Sequence, residues 1–348
     1  MATEEVDVRR FTNRESSTRI GRIPTPSGFP GLGDINSYLI FPEEGTEDLI
    51  LIDTGVRSDE AWEALNQGLK ALDCRIEDIS RILLTHGHTD HYGQASRIHE
   101  ASGCELWAHE NLWLTQERMR PPPERLEMEL YCYSLWGVEQ EVVERALARR
   151  AGFAATYDPM EPTHLLKDGE RIDIPGFNLE TVHTPGHCPD EVVYWQPETQ
   201  VFFSGDHLLP NITPVCLLQI PRGKNEPRPP SLVEYQDSLA KVAPYPAKVT
   251  YPSHGEPILD HRDLIESYKL STDRRLLKIS RILEKNHWMT PMEIGKELFP
   301  KAWRDQLVPV MSEILGHCDI LEASGHAELK EESGRIYYRY ISTPPPRE

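Results

Sequence analysis

THGHTDH, residues 85–91, places three histidines and one aspartate within six consecutive positions. The motif follows the apolar run ILL at residues 82–84, a pattern typical of a buried strand that ends in a loop. Neutral imidazole and carboxylate groups coordinate zinc, iron and manganese, and alternate side chains of such a loop can reach two different ions. The motif therefore predicts that His86 and His88 bind one metal ion while Asp90 and His91 bind its neighbour.

Two ions need more ligands than this loop offers, and donors of the right kind follow later strand-like runs. They are His187 in TPGH, Asp206 in FFSGD and His254 in YPSHG. Side chains at strand ends along one sheet edge can converge. A structural zinc site is usually completed by cysteines, whereas a catalytic metal site leaves one position open for water. A lone histidine is more often a surface or core residue than a ligand, but this clustering favours a single ligand set.

The ordered set resembles that of the metallo-β-lactamase-fold hydrolases, whose signature is HxHxDH followed by single His, Asp and His ligands. The resemblance implies one ion bound by His86, His88 and His187, a second bound by Asp90, His91 and His254, and Asp206 bridging the two. It also implies an α/β fold of the αββα type, in which two stacked sheets carry helices on their outer faces and the ligands gather at one edge.

The motif LIDTG at residues 51–55 resembles an early strand motif of the same family. By that resemblance Asp53 supports the metal ligands from behind. The alternative is that Asp53 caps the turn before Gly55. Cys188 follows His187 directly but is left out of the ligand set, because the family's thiolate variant uses the position that is Asp206 here.

Length and composition fit a folded protein of 348 residues with 39% hydrophobic residues. No segment approaches the roughly 20 apolar residues that span a bilayer, and the acidic start MATEE lacks the pattern of a secretory leader. The six cysteines are scattered without a CxxC pair, which indicates reduced thiols rather than disulfides. These features predict a cytoplasmic protein without membrane contact.

The net charge of −19 argues against a protein built mainly to hold nucleic acid, because phosphate binding depends on clustered lysine and arginine. Residues 270–348 contain 12 basic and 12 acidic residues, so the whole excess lies in residues 1–269. Metal ligands and an ordinary solvated acidic face account for such a bias.

Apolar runs and helical periodicity predict the order of secondary structure. Strands are expected at 36–41, 48–53, 81–84, 104–108, 178–183, 190–195, 200–204 and 247–251, with a helix over 59–72. We expect these elements to build a catalytic domain over residues 1–265.

Two stretches stand apart from that core. Residues 110–160 are rich in aromatics and read as helical over 124–150, which predicts a helical cap over the site, the alternative being an extra core or dimer helix. Residues 207–230 contain six prolines and no regular period, as expected of a loop that shapes a pocket mouth. The predicted pocket residues are Tyr92, His207, Leu208, Leu209 and Ile212.

Residues 266–348 are expected to form a small separate domain. Helical patterns over 264–283, 290–299 and about 304–323 precede a hairpin over 327–341. This order resembles a winged helix, and a metallo-β-lactamase domain followed by one is similar to LACTB2-like hydrolases of the superfamily that includes glyoxalase II. A helix that binds in a nucleic-acid groove usually carries a stripe of basic residues, but the last predicted helix is acidic. The sequence therefore favours packing or homodimer contact over nucleic-acid binding for this domain.

The ligand set predicts a hydrolase. Two divalent ions, with zinc favoured and iron or manganese compatible, would lower the pKa of a bridging water so that hydroxide attacks a carbonyl. Asp90 is the catalytic candidate, since it can orient the hydroxide and pass its proton to the leaving group. The apolar loop and aromatic cap favour a small-molecule acyl substrate: a thioester, an activated ester or a lactone.

Two other functional classes remain open at this point. A metal-dependent ribonuclease or phosphodiesterase would use the same ions to bind a phosphate. A non-enzymatic regulator would work through its winged helix and would tolerate loss of the metals. Persulfide oxidation with a single iron is disfavoured because the seven-ligand set is complete.

Overall fold

The computed structural model describes residues 7–12, 17–28, 32–41, 49–155 and 158–344. Seven strands lie side by side in chain order in a first sheet. They are β1 (Asp7–Thr12), β2 (Ser17–Pro26), β3 (Asp34–Phe41), β4 (Leu49–Ile52), β5 (Ile79–Leu83), β6 (Glu105–His109) and β7 (His164–Leu166). The strands β1 to β4 pair antiparallel and β4 to β7 pair parallel.

Parallel neighbours need crossover connections, and helices provide them here. The connecting helices are α1 (Asp59–Ala71), α2 (Thr89–Tyr92), α3 (Ala95–Ser102), α4 (Leu112–Met119), α5 (Pro123–Leu135) and α6 (Gln140–Ala155). Ser58 caps α1, because its hydroxyl accepts the N–H of Ala61. The predicted helix over 59–72 is therefore confirmed.

A second sheet contains five strands in the order β12-β11-β10-β9-β8. They are β8 (Arg171–Ile172), β9 (Leu179–His183), β10 (Val192–Gln196), β11 (Val201–Gly205) and β12 (Val249–Pro252). Helix α7 (Ser231–Val242) crosses between the parallel strands β11 and β12. Every residue of β10 and β11 is buried, as expected of strands covered on both faces.

The two sheets pack face to face over a shared apolar layer that includes Tyr38, Ile52, Phe203 and Tyr251. Helices α1 and α3 cover the outer face of the first sheet. Helices α7 and α8 (His261–Lys285) cover the outer face of the second. This is the αββα arrangement that the sequence predicted.

The chain ends in a smaller unit with its own apolar cluster, which includes Ile279, Ile294, Ile314 and Tyr338. It contains the end of α8, then α9 (Pro291–Leu298), α10 (Leu307–Ala323), β13 (Ala327–Glu332) and β14 (Arg335–Tyr340). The order of helices and hairpin is the predicted one. The boundary expected between residues 265 and 266 falls inside α8, which runs on without a break.

The segment that was predicted to be helical over 124–150 is helical, but it is divided into two helices, α5 and α6. Helix α5 ends at Leu135 with Trp136 as its C-cap, and Gly137 follows with a φ of 77°, a left-handed conformation that favours glycine. A side chain at Gly137 would also collide with Thr290. The apolar faces of α5 and α6 pack against Met292 and Met311 of the C-terminal unit. Much of the apolar surface of the predicted cap is therefore covered by the C-terminal unit.

Among the helices that the structure describes, none has both the length and the apolarity needed to cross a bilayer. All six cysteines are free thiols.

Candidate metal centre

Seven side chains from both sheets meet at one edge of the sandwich. The loop after β5 carries His86 and His88, and Asp90 and His91 lie in α2 directly behind it. The remaining three follow β9, β11 and β12, which run in one direction; they are His187, Asp206 and His254. The ligand atoms of these residues form groups within 4.8 Å of one another.

A first group consists of three imidazoles. The Nε2 atom of His86 lies 2.8 Å from Nδ1 of His88, and Nε2 of His187 lies 3.0 Å from the same Nδ1 atom. Burial lowers the pKa of all three rings, and it lowers that of His88 to about 3. The rings are therefore neutral at pH 7, which is the state that coordinates a metal.

A second group consists of Asp90, His91 and His254. The Nε2 atom of His254 lies 3.5 Å from Oδ2 of Asp90, and Nε2 of His91 lies 3.9 Å from Oδ1 of the same carboxylate. These atoms surround a second candidate metal position, beside the one that the first group surrounds.

Asp206 lies between the two groups, with one oxygen towards each. Its Oδ1 atom is 3.5 Å from Nε2 of His91 and 3.8 Å from Nε2 of His254. Its Oδ2 atom is 3.7 Å from Nε2 of His187 in the first group. One carboxylate can therefore contact both positions.

The donor set fits a pair of divalent cations. Among the described residues, His91 Nε2, His254 Nε2 and Asp206 Oδ1 are buried without a hydrogen-bond partner, a costly arrangement that a bound cation would relieve. Burial opposes protonation of His91 and His254, but the surrounding carboxylates, Asp206 first, outweigh it and raise the pKa of both rings. This part of the site thus stabilises positive charge.

The second ring nitrogen of several histidines is held by another group, which directs Nε2 inwards. Asp53 accepts Nδ1–H of His91 at 2.8 Å and also the N–H and hydroxyl of Thr85. Nδ1 of His187 lies 2.8 Å from the Val215 carbonyl, and Nδ1 of His254 lies 2.9 Å from the Asp34 carbonyl. Asp53 thus lies behind His91, the position that the family resemblance implied.

The sequence prediction missed two buried carboxylates that follow His187. Oε2 of Glu191 lies 3.2 Å from Nδ1 of His86, and Oε1 accepts the backbone N–H of Asp206 at 3.0 Å. Burial, together with the charge of Asp206, raises the pKa of Glu191. Asp190 accepts the backbone N–H of Gly87 at 2.8 Å. The sequence signal that could have revealed them is the pair of consecutive acidic residues directly before the apolar run VVYW.

A cavity of about 430 Å³ lies beside His254. Leu32, Leu209 and Ile212 give it an apolar side, and its polar side is neutral or acidic; the polar side chains are Asp34, Asn36, Asn211 and Glu256. Among the described residues that line it, none is lysine or arginine. Leu209 and Ile212 thus lie where the pocket was expected.

The other three predicted pocket residues do not line this cavity. The ring of Tyr92 packs in the core outside the first sheet, and its hydroxyl donates to the Met160 carbonyl. Leu208 is fully buried in the core under α7. His207 is also fully buried, against the ring of Tyr235. The turn after β11 directs the side chains of His207 and Leu208 into the core. The loop lines the cavity only from Leu209 onwards.

Fold and site together define a metallo-hydrolase scaffold. The chain belongs to the family described as the Metallo-beta-lactamase superfamily, whose sequence model matches residues 30–254. This membership also confirms the resemblance on which the ligand assignment was based.

Two of the following three known proteins match well beyond that segment. Probable metallo-hydrolase YqjP of Bacillus subtilis is 28% identical over 324 residues, which cover 91% of this chain and 96% of YqjP. Hydroxyacylglutathione hydrolase GloC of Haemophilus influenzae is 27% identical over 50% of this chain and 66% of its own. The crystal structure of a metallo-beta-lactamase family protein from Thermus thermophilus has a TM-score of 0.78 and 26% identity, covering 92% of this chain and 98% of its own.

Proposed function

We propose that the protein is a dinuclear metal-dependent hydrolase that cleaves the carbonyl of a thioester, an activated ester or a lactone. The observation that carries this proposal is the position of Asp206, with one oxygen 3.5 Å from His91 Nε2 and the other 3.7 Å from His187 Nε2. A carboxylate so placed can bridge two ions. Zinc is the expected metal for this imidazole-rich set, and iron or manganese is compatible with it.

Two divalent ions, when bound, supply a water of lowered pKa and polarise the substrate carbonyl. The chain's own residues supply the rest. Burial opposes ionisation of Asp90, but His91 and His254 outweigh it and lower the pKa of its carboxyl. Asp90 is therefore ionised at neutral pH, and its oxygens can take the proton of the attacking water and deliver it to the leaving group.

The cavity beside His254 favours a carbonyl substrate over a phosphodiester. A phosphodiester carries a negative charge, and the described lining offers two carboxylates, Asp34 and Glu256, and no cationic side chain to it. Leu32, Leu209 and Ile212 give the cavity an apolar side that suits an apolar acyl group. The name of the relative GloC, a hydroxyacylglutathione hydrolase, is consistent with a thioester.

We further propose that the enzyme is cytoplasmic. We also propose that its C-terminal unit has a packing role. Helix α10 is buried along most of its length, including Met311, Ile314 and Cys318. Arg228 forms an ion pair with Asp319 of α10, and Ser312 of α10 accepts the N–H of Leu218. A helix held in this way has little free face for a nucleic-acid groove.

The test is turnover by the zinc-loaded protein on a panel of short acyl thioesters, aryl esters, lactones and an RNA oligonucleotide. We expect hydrolysis of at least one carbonyl class, and we expect His88→Ala to abolish it. His287→Ala is the matched control, because His287 is exposed on the C-terminal unit. Undiminished turnover after chelation of the metal, or cleavage of RNA with every carbonyl substrate left intact, would contradict the proposal.

A further inference from the structure

Glu191 is a fully buried carboxylate that the proposed reaction does not use. Its side chain has no solvent-exposed surface, and it lies between His187 and β10. The chain makes room for it at Gly205, where an added Cβ would come within 2.4 Å of Oε1 of Glu191. A buried carboxylate is costly unless its oxygens have partners, so its contacts indicate its role.

The first contact is with a ring of the first ligand group. Nε2 of His86 faces His88, so a metal bound there leaves the proton of the His86 ring on Nδ1. Two oxygens lie near Nδ1, the Thr85 hydroxyl at 3.1 Å and Oε2 of Glu191 at 3.2 Å. The Thr85 hydroxyl donates to Asp53, and a carboxylate is the stronger acceptor of the two.

The second contact is with the backbone of the residue between the groups. Oε1 of Glu191 accepts the N–H of Asp206 at 3.0 Å. One carboxylate therefore contacts a ring of the first group and accepts a hydrogen bond from the peptide that carries Asp206. Asp53 has the corresponding position behind His91 of the second group.

We propose that Glu191 is the positioning residue of the first metal site: it orients the ring of His86 and fixes the backbone of Asp206. The inference rests on the proposed function in that it requires a metal at the first group. It does not depend on which substrate is cleaved. Outer partners of this kind change metal affinity by roughly 10- to 100-fold.

The experiment measures zinc affinity by competition with a chromophoric chelator. Glu191→Gln is compared with the parent in a His254→Ala background, where the second group is incomplete and the tighter remaining site reports the first group. We expect Glu191→Gln to weaken this site roughly 10- to 100-fold. Glu191→Asp keeps a carboxyl group and should weaken zinc binding less than Glu191→Gln does.

The matched control is Glu129→Gln, which removes another buried carboxylate, one that pairs with Arg150 in the helical insertion. It should leave zinc affinity unchanged even if it lowers the melting temperature, so a general loss of stability is separated from a loss at the site. Equal zinc affinity in parent and Glu191→Gln, within twofold, would overturn the inference. If the two-metal protein binds zinc as expected but hydrolyses no carbonyl substrate, the proposed function fails while the role of Glu191 stands.

Discussion

The two ligand groups of the candidate metal centre differ in charge although they share one sheet edge. The first contains three imidazoles whose pKa values are lowered by burial. The second contains Asp90 and two imidazoles whose pKa values are raised, because nearby carboxylates outweigh burial. The difference teaches that the first group offers neutral lone pairs, whereas the second contains a carboxylate and holds protons that a metal would have to displace.

The largest effect is expected from Asp206→Asn, which removes the charge that both groups share. We expect loss of at least one bound ion, and a fall in kcat/KM larger than the roughly 100-fold that changes behind the ligands produce. Metal content and initial rates on the same preparation check this. Two retained ions with kcat/KM lowered less than tenfold would show that the groups do not depend on Asp206.

Asp53→Asn should give the next largest effect and confine it to the second group. Asp53 accepts Nδ1–H of His91 at 2.8 Å, so the substitution should weaken the second ion roughly 10- to 100-fold. Zinc titration in a His88→Ala background, where the first group is incomplete, measures this. Equal weakening of the first group, tested in the His254→Ala background, would break the distinction between the groups.

The pH dependence of metal binding should also separate the two groups. The raised pKa of His91 and His254 means that these rings retain protons to higher pH than a free histidine, so a metal must displace them. At pH 7 we expect the second group to release more protons on binding zinc than the first group does. As pH falls, the second ion should dissociate first.

Calorimetry in two buffers with different ionisation heats measures the proton count directly. The His254→Ala and His88→Ala proteins report the first and second group in turn. Equal proton release from both would mean that the carboxylates around His91 do not hold a proton there.

The smallest effect is expected from a change outside both groups. Ser312→Ala removes the acceptor for the buried N–H of Leu218, which should lower the free energy of unfolding by about 1–3 kcal/mol while both zinc affinities stay unchanged. Ser324→Ala, at the exposed end of the same helix, is the control and should cost little. Chemical denaturation measures the stabilities, and a shift of zinc affinity in Ser312→Ala would show that the C-terminal unit acts on the site.

The parts of the site that the sequence predicted are those whose residue types are dictated by chemistry. Only a few side-chain types bind metals, so an HxHxDH motif followed by His, Asp and His at strand ends indicates metal binding from the sequence alone. The strands between them were predictable because both faces are buried and their residues form continuous apolar runs, as in β10 and β11.

The parts that escaped prediction depend on tertiary contacts. Strands β1 and β2 read DVRRFT and STRIGRIPTP, with arginines and prolines that mask any apolar period. The strand β2 is positioned by packing against α1, where Gly68 leaves room for Ile23. Glu191 and Asp190 likewise look like surface acids until the fold places them beside His86 and Gly87.

The most direct test of the two-site account is anomalous diffraction at the zinc edge from crystals of the zinc-loaded protein. The account predicts two peaks ~3.5–4 Å apart, one at each ligand group. It also predicts that the two oxygens of Asp206 lie at bonding distance from different ions. A single peak, or two peaks with Asp206 bound to neither, would contradict it.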